Sequence, residues 1–174
     1  MIQSTVAELF EKEIKHIDIE VKGWVKSFRA NRFIALSDGS TIKTIQCVVD
    51  FETMDETLLK QITTGAALQI QGNLVESQGK GQALEIQVSN ITVLGAADPD
   101  LVSKTILQPK RHSLEFLREQ AHLRPRTNTF GAVMRLRSSL SFAIHQYFHQ
   151  NGFNYMHAPI ITGIDAEGAG EMFR

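Results

Sequence analysis

From Ile17 to Leu94 the apolar residues alternate, imperfectly but repeatedly, and one stretch breaks that rhythm. Within Ile17 to Phe28, residues Ile17, Ile19, Val21 and Gly23 share a face, with Trp24 opposite. Period-two patterning of this kind marks a half-buried strand. Arg32 to Leu36 is a second, shorter apolar run, and the Asp38-Gly39-Ser40 that follows has the composition of a hairpin turn. Ile42, Ile45, Cys47, Val48 and Val49 mark a third strand. Met54, Leu58, Leu59 and Ile62 then fall at helical spacing, with Gly65 placed to stop a helix. Alternation resumes over Ala67 to Leu74, pauses at Gly79 to Gly81, and returns over Ala83 to Leu94. The expected order is therefore strands, one helix, and strands again.

That order can close a small five-stranded barrel with its one helix plugging an end, which is the arrangement of an OB-fold. A sandwich fragment is the alternative, but a lone short helix between its third and fourth strands would be unusual. Gly95 to Pro99 ends the barrel, so residues 1–97 form a first domain. Residues 98–126, with Pro109 and Pro125, read as a hinge holding one short helix near Leu114 to Gln120. From about Phe130 to Gln150 a helix carries Val133, Leu136, Leu140, Ala143, Ile144 and Tyr147 on one stripe. Thr127, Asn128 and Thr129 offer N-cap oxygens and Gly152 ends the helix. Phe153, Met156 and Pro159 to Ile161 suggest a strand, its proline at an edge or interface. A Gly-rich acidic loop follows.

Composition removes several functions. Cys47 is the only cysteine, so neither an intramolecular disulfide nor a Cys-rich zinc site is available. No apolar run is long enough to cross a membrane, and the acidic start MIQSTVAELFEKE is no secretory signal. A reducing, cytoplasmic setting is expected. The net charge of −1 does not announce a nucleic-acid binder, yet between Val102 and Arg137 eight cations face two acids. His145 and His149 lack a zinc-protease pattern, and Asp165 and Glu171 do not make a complete site, so no metal site is expected.

On an OB barrel, single strands bind by stacking on aromatic side chains and by polar groups reading base edges. Arg29, Phe33, Gln46 and Glu85, on successive strands, are the candidates here. Taken singly, Phe33 reads first as a core aromatic, Gln46 as a solvated strand residue, and Glu85 and Arg29 as a surface pair. The segment GWVKSFRANRFIALSDGSTIKTIQCVVD, however, resembles the anticodon-binding domain of the class IIb aminoacyl-tRNA synthetases, which charge aspartate, asparagine and lysine. HLRPRTNTFGAV followed by APIITGIDAEGAGEMFR is similar to the asparaginyl family and its motif 1.

The resemblance implies that Arg29, Phe33, Gln46 and Glu85 recognise the central uridine of the anticodon. It implies that Glu167 binds the α-amino group of the substrate amino acid, where a carboxylate suits an ammonium. Residues 127–174 would open a class II α+β catalytic domain, truncated, with its first helix and strand forming a homodimer interface through Leu136, Leu140, Phe153 and Pro159. The parent enzyme would use ATP and Mg2+ to activate asparagine and transfer it to tRNA(Asn), with no DNA or membrane partner. Motifs 2 and 3, which hold ATP, are absent, so no catalytic residue is expected in these 174 residues, the chain alone is expected to be inactive, and no cofactor is expected bound to it. An aspartyl enzyme and a standalone OB-type nucleic-acid-binding protein are the rival readings.

Overall fold

The structure is a computed structural model that describes residues 2–11, 17–50, 52, 54–77, 79, 81–105, 107–108 and 110–159. In order it contains β1 (Ile2–Gln3), α1 (Val6–Glu11), β2 (Ile17–Arg29), β3 (Phe33–Ser37), β4 (Ile45–Val48), α2 (Glu56–Gln61), β5 (Ala67–Glu76) and β6 (Leu84–Gly95). There follow α3 (Pro99–Thr105), α4 (Leu114–Glu119), a 3-10 turn over Arg124–Arg126, and α5 (Asn128–Gln150).

The five long strands close on themselves. Pairing runs β2–β3–β4–β6–β5, and β5 returns to β2; β4 and β6 are parallel, the other long-strand pairs antiparallel. The long β2 makes closure possible, because residues 17–24 pair with β5 while residues 24–29 pair with β3, across an irregularity at Val25/Ser27. Gly72 permits the close approach of β5 to β6: a Cβ there would lie 2.1 Å from the Gln87 carbonyl oxygen. This is the OB barrel that the strand order predicts. Ile19, Val21, Ile34, Leu36, Ile45, Cys47, Leu68, Ile70, Leu74 and Ile86 are fully buried inside it. Ten such side chains contribute on the order of 15–30 kcal/mol of apolar transfer before entropy is subtracted.

Two helices serve this core, where one was expected. Leu58 and Leu59 of α2 pack against it only partly, whereas Val6 and Leu9 of α1 are fully buried. A reciprocal capping box starts α1: Thr5 N–H donates to the Glu8 carboxylate (2.8 Å) and Glu8 N–H to the Thr5 hydroxyl (3.3 Å). The remaining donors of its first turn find partners far away in sequence. Val6 N–H donates to Asp38 Oδ2 (2.8 Å) and Ala7 N–H to Ser40 Oγ (2.9 Å). Asp38-Gly39-Ser40 is thus no tight hairpin turn; it begins a seven-residue connection, 38–44, that caps α1. Partial burial pushes the Asp38 carboxyl up, but bonds from the Ser40 hydroxyl and from the Val6 and Ser40 N–H groups outweigh it and hold the group below its usual value. Ile42, expected in the third strand, is exposed in this connection.

Residues 98–126, expected as a hinge, hold α3 as well as the expected α4. Thr63 Oγ1 donates to the Ala97 carbonyl (2.6 Å), and Lys26 Nζ to the Arg126 carbonyl (3.4 Å). Burial and the neighbouring Arg126 cation lower the pKa of Lys26. The chain divides into two compact units between residues 132 and 133. Helix α5, which starts at the Thr127 cap, ends at Gly152 in a left-handed conformation, and Phe153 turns back so that its ring meets Phe148 edge-on at 5.4 Å. Residues 153–159 form no strand; among the described residues of the second unit there is no other strand for them to pair with. Ile160 and Ile161 lie outside the described residues. No helix among those described is long and apolar enough to cross a membrane.

Candidate nucleic-acid interface

Alternation along β3, β4 and β6 sends Ile34, Leu36, Ile45, Cys47, Leu84 and Ile86 into the barrel and the residues between them outward. Register then assembles the outer face in two rows. Arg29 opposes Phe33, Phe33 opposes Val48, and Val48 opposes Gln87. In the next row Ser27 opposes Ala35, Ala35 opposes Gln46, and Gln46 opposes Glu85. All four residues singled out from the sequence therefore share one face. Phe33 and Gln46 are diagonal neighbours, about 7–8 Å apart along such a sheet.

The acceptor in this group is held from two sides. Ser77 Oγ donates to Glu85 Oε2 at 2.8 Å, and Gln46 Nε2 reaches the same oxygen at 3.4 Å. Ser77 is itself fixed by the β5–β6 loop: its N–H donates to the Ala83 carbonyl, and its hydroxyl accepts from Gly79 N–H (3.1 Å) and Gln82 Nε2 (3.4 Å). The short Ser77 bond aims the carboxylate, while the long Gln46 bond leaves an amide that exchanges partners at little cost. Ala35, with no side chain beyond Cβ, leaves open floor between Phe33 and Gln46. Arg29 is exposed, and Phe33, Gln46 and Glu85 are half-buried. A flat ring, an open floor, an amide and a carboxylate within one or two strand spacings are the parts needed to hold an unstacked base by face and edge.

Ser77, Ala35 and Arg32 escape a reading by residue type alone. The same alternation that places Phe33 and Gln46 points to Ala35, but only the folded loop brings Ser77 to Glu85. Arg32 lies with its Cζ 5.8 Å from the Phe33 ring centroid. Cys47 is buried, and desolvation raises its thiol far above the usual range, so it has no chemistry to offer.

Of the other candidates, Glu167, Asp165 and Glu171 lie outside the described residues. Leu136, Leu140, Phe153 and Pro159 are all exposed. So are Met134, Phe142 and Phe148, away from the expected stripe. An apolar helix surface this wide suits cover from more than one side.

Residues 19–94 match the family described as the OB-fold nucleic acid binding domain. The chain is 53% identical to the asparagine–tRNA ligase of Cytophaga hutchinsonii, over 97% of its own length and 37% of that enzyme's. It is 50% identical to that of Parabacteroides distasonis, over 99% and 37%. It thus spans little more than a third of the curated relatives it matches. Among solved structures, the asparaginyl-tRNA synthetase of Entamoeba histolytica in complex with asparaginyl-adenylate resembles it with a TM-score of 0.72 at 25% identity, covering 91% of this chain and 38% of that one.

Proposed function

We propose, because this chain belongs to the asparagine–tRNA ligase family and spans 37% of the length of the relatives it matches, that its barrel reads the anticodon of tRNA(Asn), with Arg29, Phe33, Gln46 and Glu85 recognising the central uridine. One observation carries this reading: the Gln46 amide and the Glu85 carboxylate share a register pair on the outer face, diagonal to the Phe33 ring. Uracil presents an N3–H donor between two carbonyl acceptors. Glu85 can only accept, and it meets the N3–H; Gln46 Nε2 turns to one carbonyl, and Arg29 to the other or to a phosphate. Cytosine carries a lone pair at N3, so the same pose would set two acceptors face to face. Identity of 50–53% to asparagine–tRNA ligases favours this reading over an aspartyl one.

The whole enzyme would activate asparagine with ATP and Mg2+ as asparaginyl-adenylate and transfer the acyl group to the 3′ end of the tRNA, in the cytoplasm. Among the described residues no group of three or more His, Cys, Asp or Glu is placed to hold a metal ion. Glu167 would bind the α-amino group of asparagine. The apolar surface of α5 and Phe153 to Pro159 would form a two-fold interface, with Leu136, Leu140, Phe153 and Pro159 covering their own copies.

Binding of the purified chain to anticodon stem-loops tests the central claim. A loop carrying the central uridine should bind more tightly than one with cytidine there. Equal affinity for both would refute the uridine assignment.

A further inference from the structure

We propose that Arg32, which lies outside the four-residue set above, holds the phosphodiester joining the base on Phe33 to a neighbouring nucleotide. That second nucleotide would lie over a shallow depression floored by Val48. The inference rests on the barrel reading just given and adds a contact to it.

The turn that carries Arg32 is unusual. Ala30 and Asn31 both have positive φ, 52° and 49°, and Arg32 N–H bonds the Arg29 carbonyl at 3.1 Å. This is the two-residue hairpin turn with both central residues left-handed, for which glycine and asparagine are favoured. An alanine there costs roughly 1–2 kcal/mol of backbone strain. A second bond, from Val49 N–H to the Arg32 carbonyl (2.8 Å), fixes the backbone of Arg32 against β4. The result is an anchored backbone under an exposed cation, poised between two surfaces. On one side its guanidinium lies 5.8 Å from the Phe33 ring centroid. On the other it lines the depression with Val48, Val49, Asp50 and Gln87.

Phe33, Val48 and Gln87 are successive register partners, so the two surfaces are one to two strand spacings apart, about 5–10 Å. A single nucleotide step spans that distance, and its phosphate would pass over Arg32. Charge orients the neighbour as well. Asp50 and Glu52 also line the depression, and they repel phosphate while accepting from amino or imino groups of a base. The phosphate therefore belongs with Arg32, and the base over Val48.

The test compares Arg32→Gln and Arg32→Lys with the unaltered chain, using an anticodon stem-loop RNA over a range of salt concentrations. Removing one phosphate contact should flatten the slope of log affinity against log salt by about 0.7. At low salt it should weaken binding roughly 2- to 5-fold, the worth of one solvent-exposed ion pair. Arg32→Lys should keep most of the slope. A methylphosphonate replacing one of the linkages flanking the central uridine should weaken binding to the unaltered chain but add little to Arg32→Gln. If Arg32→Gln changes neither slope nor affinity while Phe33→Ala still weakens binding, Arg32 is idle and only this inference fails. Equal methylphosphonate penalties in both proteins would also overturn it. If Phe33→Ala has no effect either, the barrel reading falls and takes this contact with it.

Discussion

Replacing Glu85 with Gln isolates the part of the site that should distinguish uridine from cytidine. The substitution preserves size and can keep the Ser77 bond, since an amide oxygen accepts as a carboxylate oxygen does. It removes the charge and lets the terminal group present a donor. Bonds to a charged group contribute about 1.5–3 kcal/mol and neutral ones about 0.5–1.5. Affinity for a uridine loop should therefore fall by roughly 1–1.5 kcal/mol, about five- to ten-fold. A cytidine loop should gain, because the amide can donate to the N3 lone pair that the carboxylate opposed. Base discrimination, about 1–3 kcal/mol for a well-made edge contact, should shrink towards zero. Fluorescence anisotropy with matched stem-loops reads both affinities. Leu84 and Ile86, which flank the position and carry its share of the core, are untouched. The melting midpoint should stay nearly constant, as for a surface change within about 0.5 kcal/mol. If Glu85→Gln lowers affinity for both loops by the same factor, Glu85 contributes charge but not specificity, and the edge-reading argument is wrong.

Phe33→Ala should cost about 1–3 kcal/mol of stem-loop binding with an unchanged circular dichroism spectrum; unchanged affinity would take Phe33 out of the site. Asp38→Ala should destabilise the barrel by roughly 1 kcal/mol through lost capping of α1, measured by urea denaturation at neutral pH. The Asp38 pKa is lower in the folded chain, so its contribution is complete above the ordinary carboxyl value near 4 and is lost as pH falls below that. The stability gap between Asp38→Asn and the unaltered chain should accordingly close in acid, and a gap constant with pH would contradict the cap. Leu140→Glu should shift the chain towards monomer in sedimentation equilibrium, and an unchanged mass distribution would remove Leu140 from any interface.

The strands were legible because each long strand repeats its inward residue often enough to be counted: Ile19 and Val21, Ile34 and Leu36, Ile45 and Cys47. The same count places Phe33, Gln46 and Glu85 outward, which is why residues chosen by kind prove to share a face. Helix α1 was not legible by periodicity, since it presents only Val6 and Leu9 to the core. Its signal was the Thr5-x-x-Glu8 box, and its other cap comes from Asp38 and Ser40, thirty-two and thirty-three residues away. Asp38-Gly39-Ser40 reads as a turn because aspartate and glycine favour turns locally; a partner distant in sequence decides otherwise. Ser77 was hidden for the same reason.

The two residues of β1 carry a consequence for handling the molecule. At Ile19 and Glu20, β2 pairs with β5 on one side and with β1 on the other, while β3 reaches only as far back as Trp24. Ile2 and Gln3, with Ser4 N–H bonded to the Glu20 carbonyl at 3.0 Å, therefore cover part of a strand margin that would otherwise offer free backbone donors and acceptors to another molecule. Trimming those residues, or pulling them away with a bulky N-terminal fusion, would expose a template for intermolecular strand addition. Soluble yield and shelf life should suffer before the thermal midpoint does.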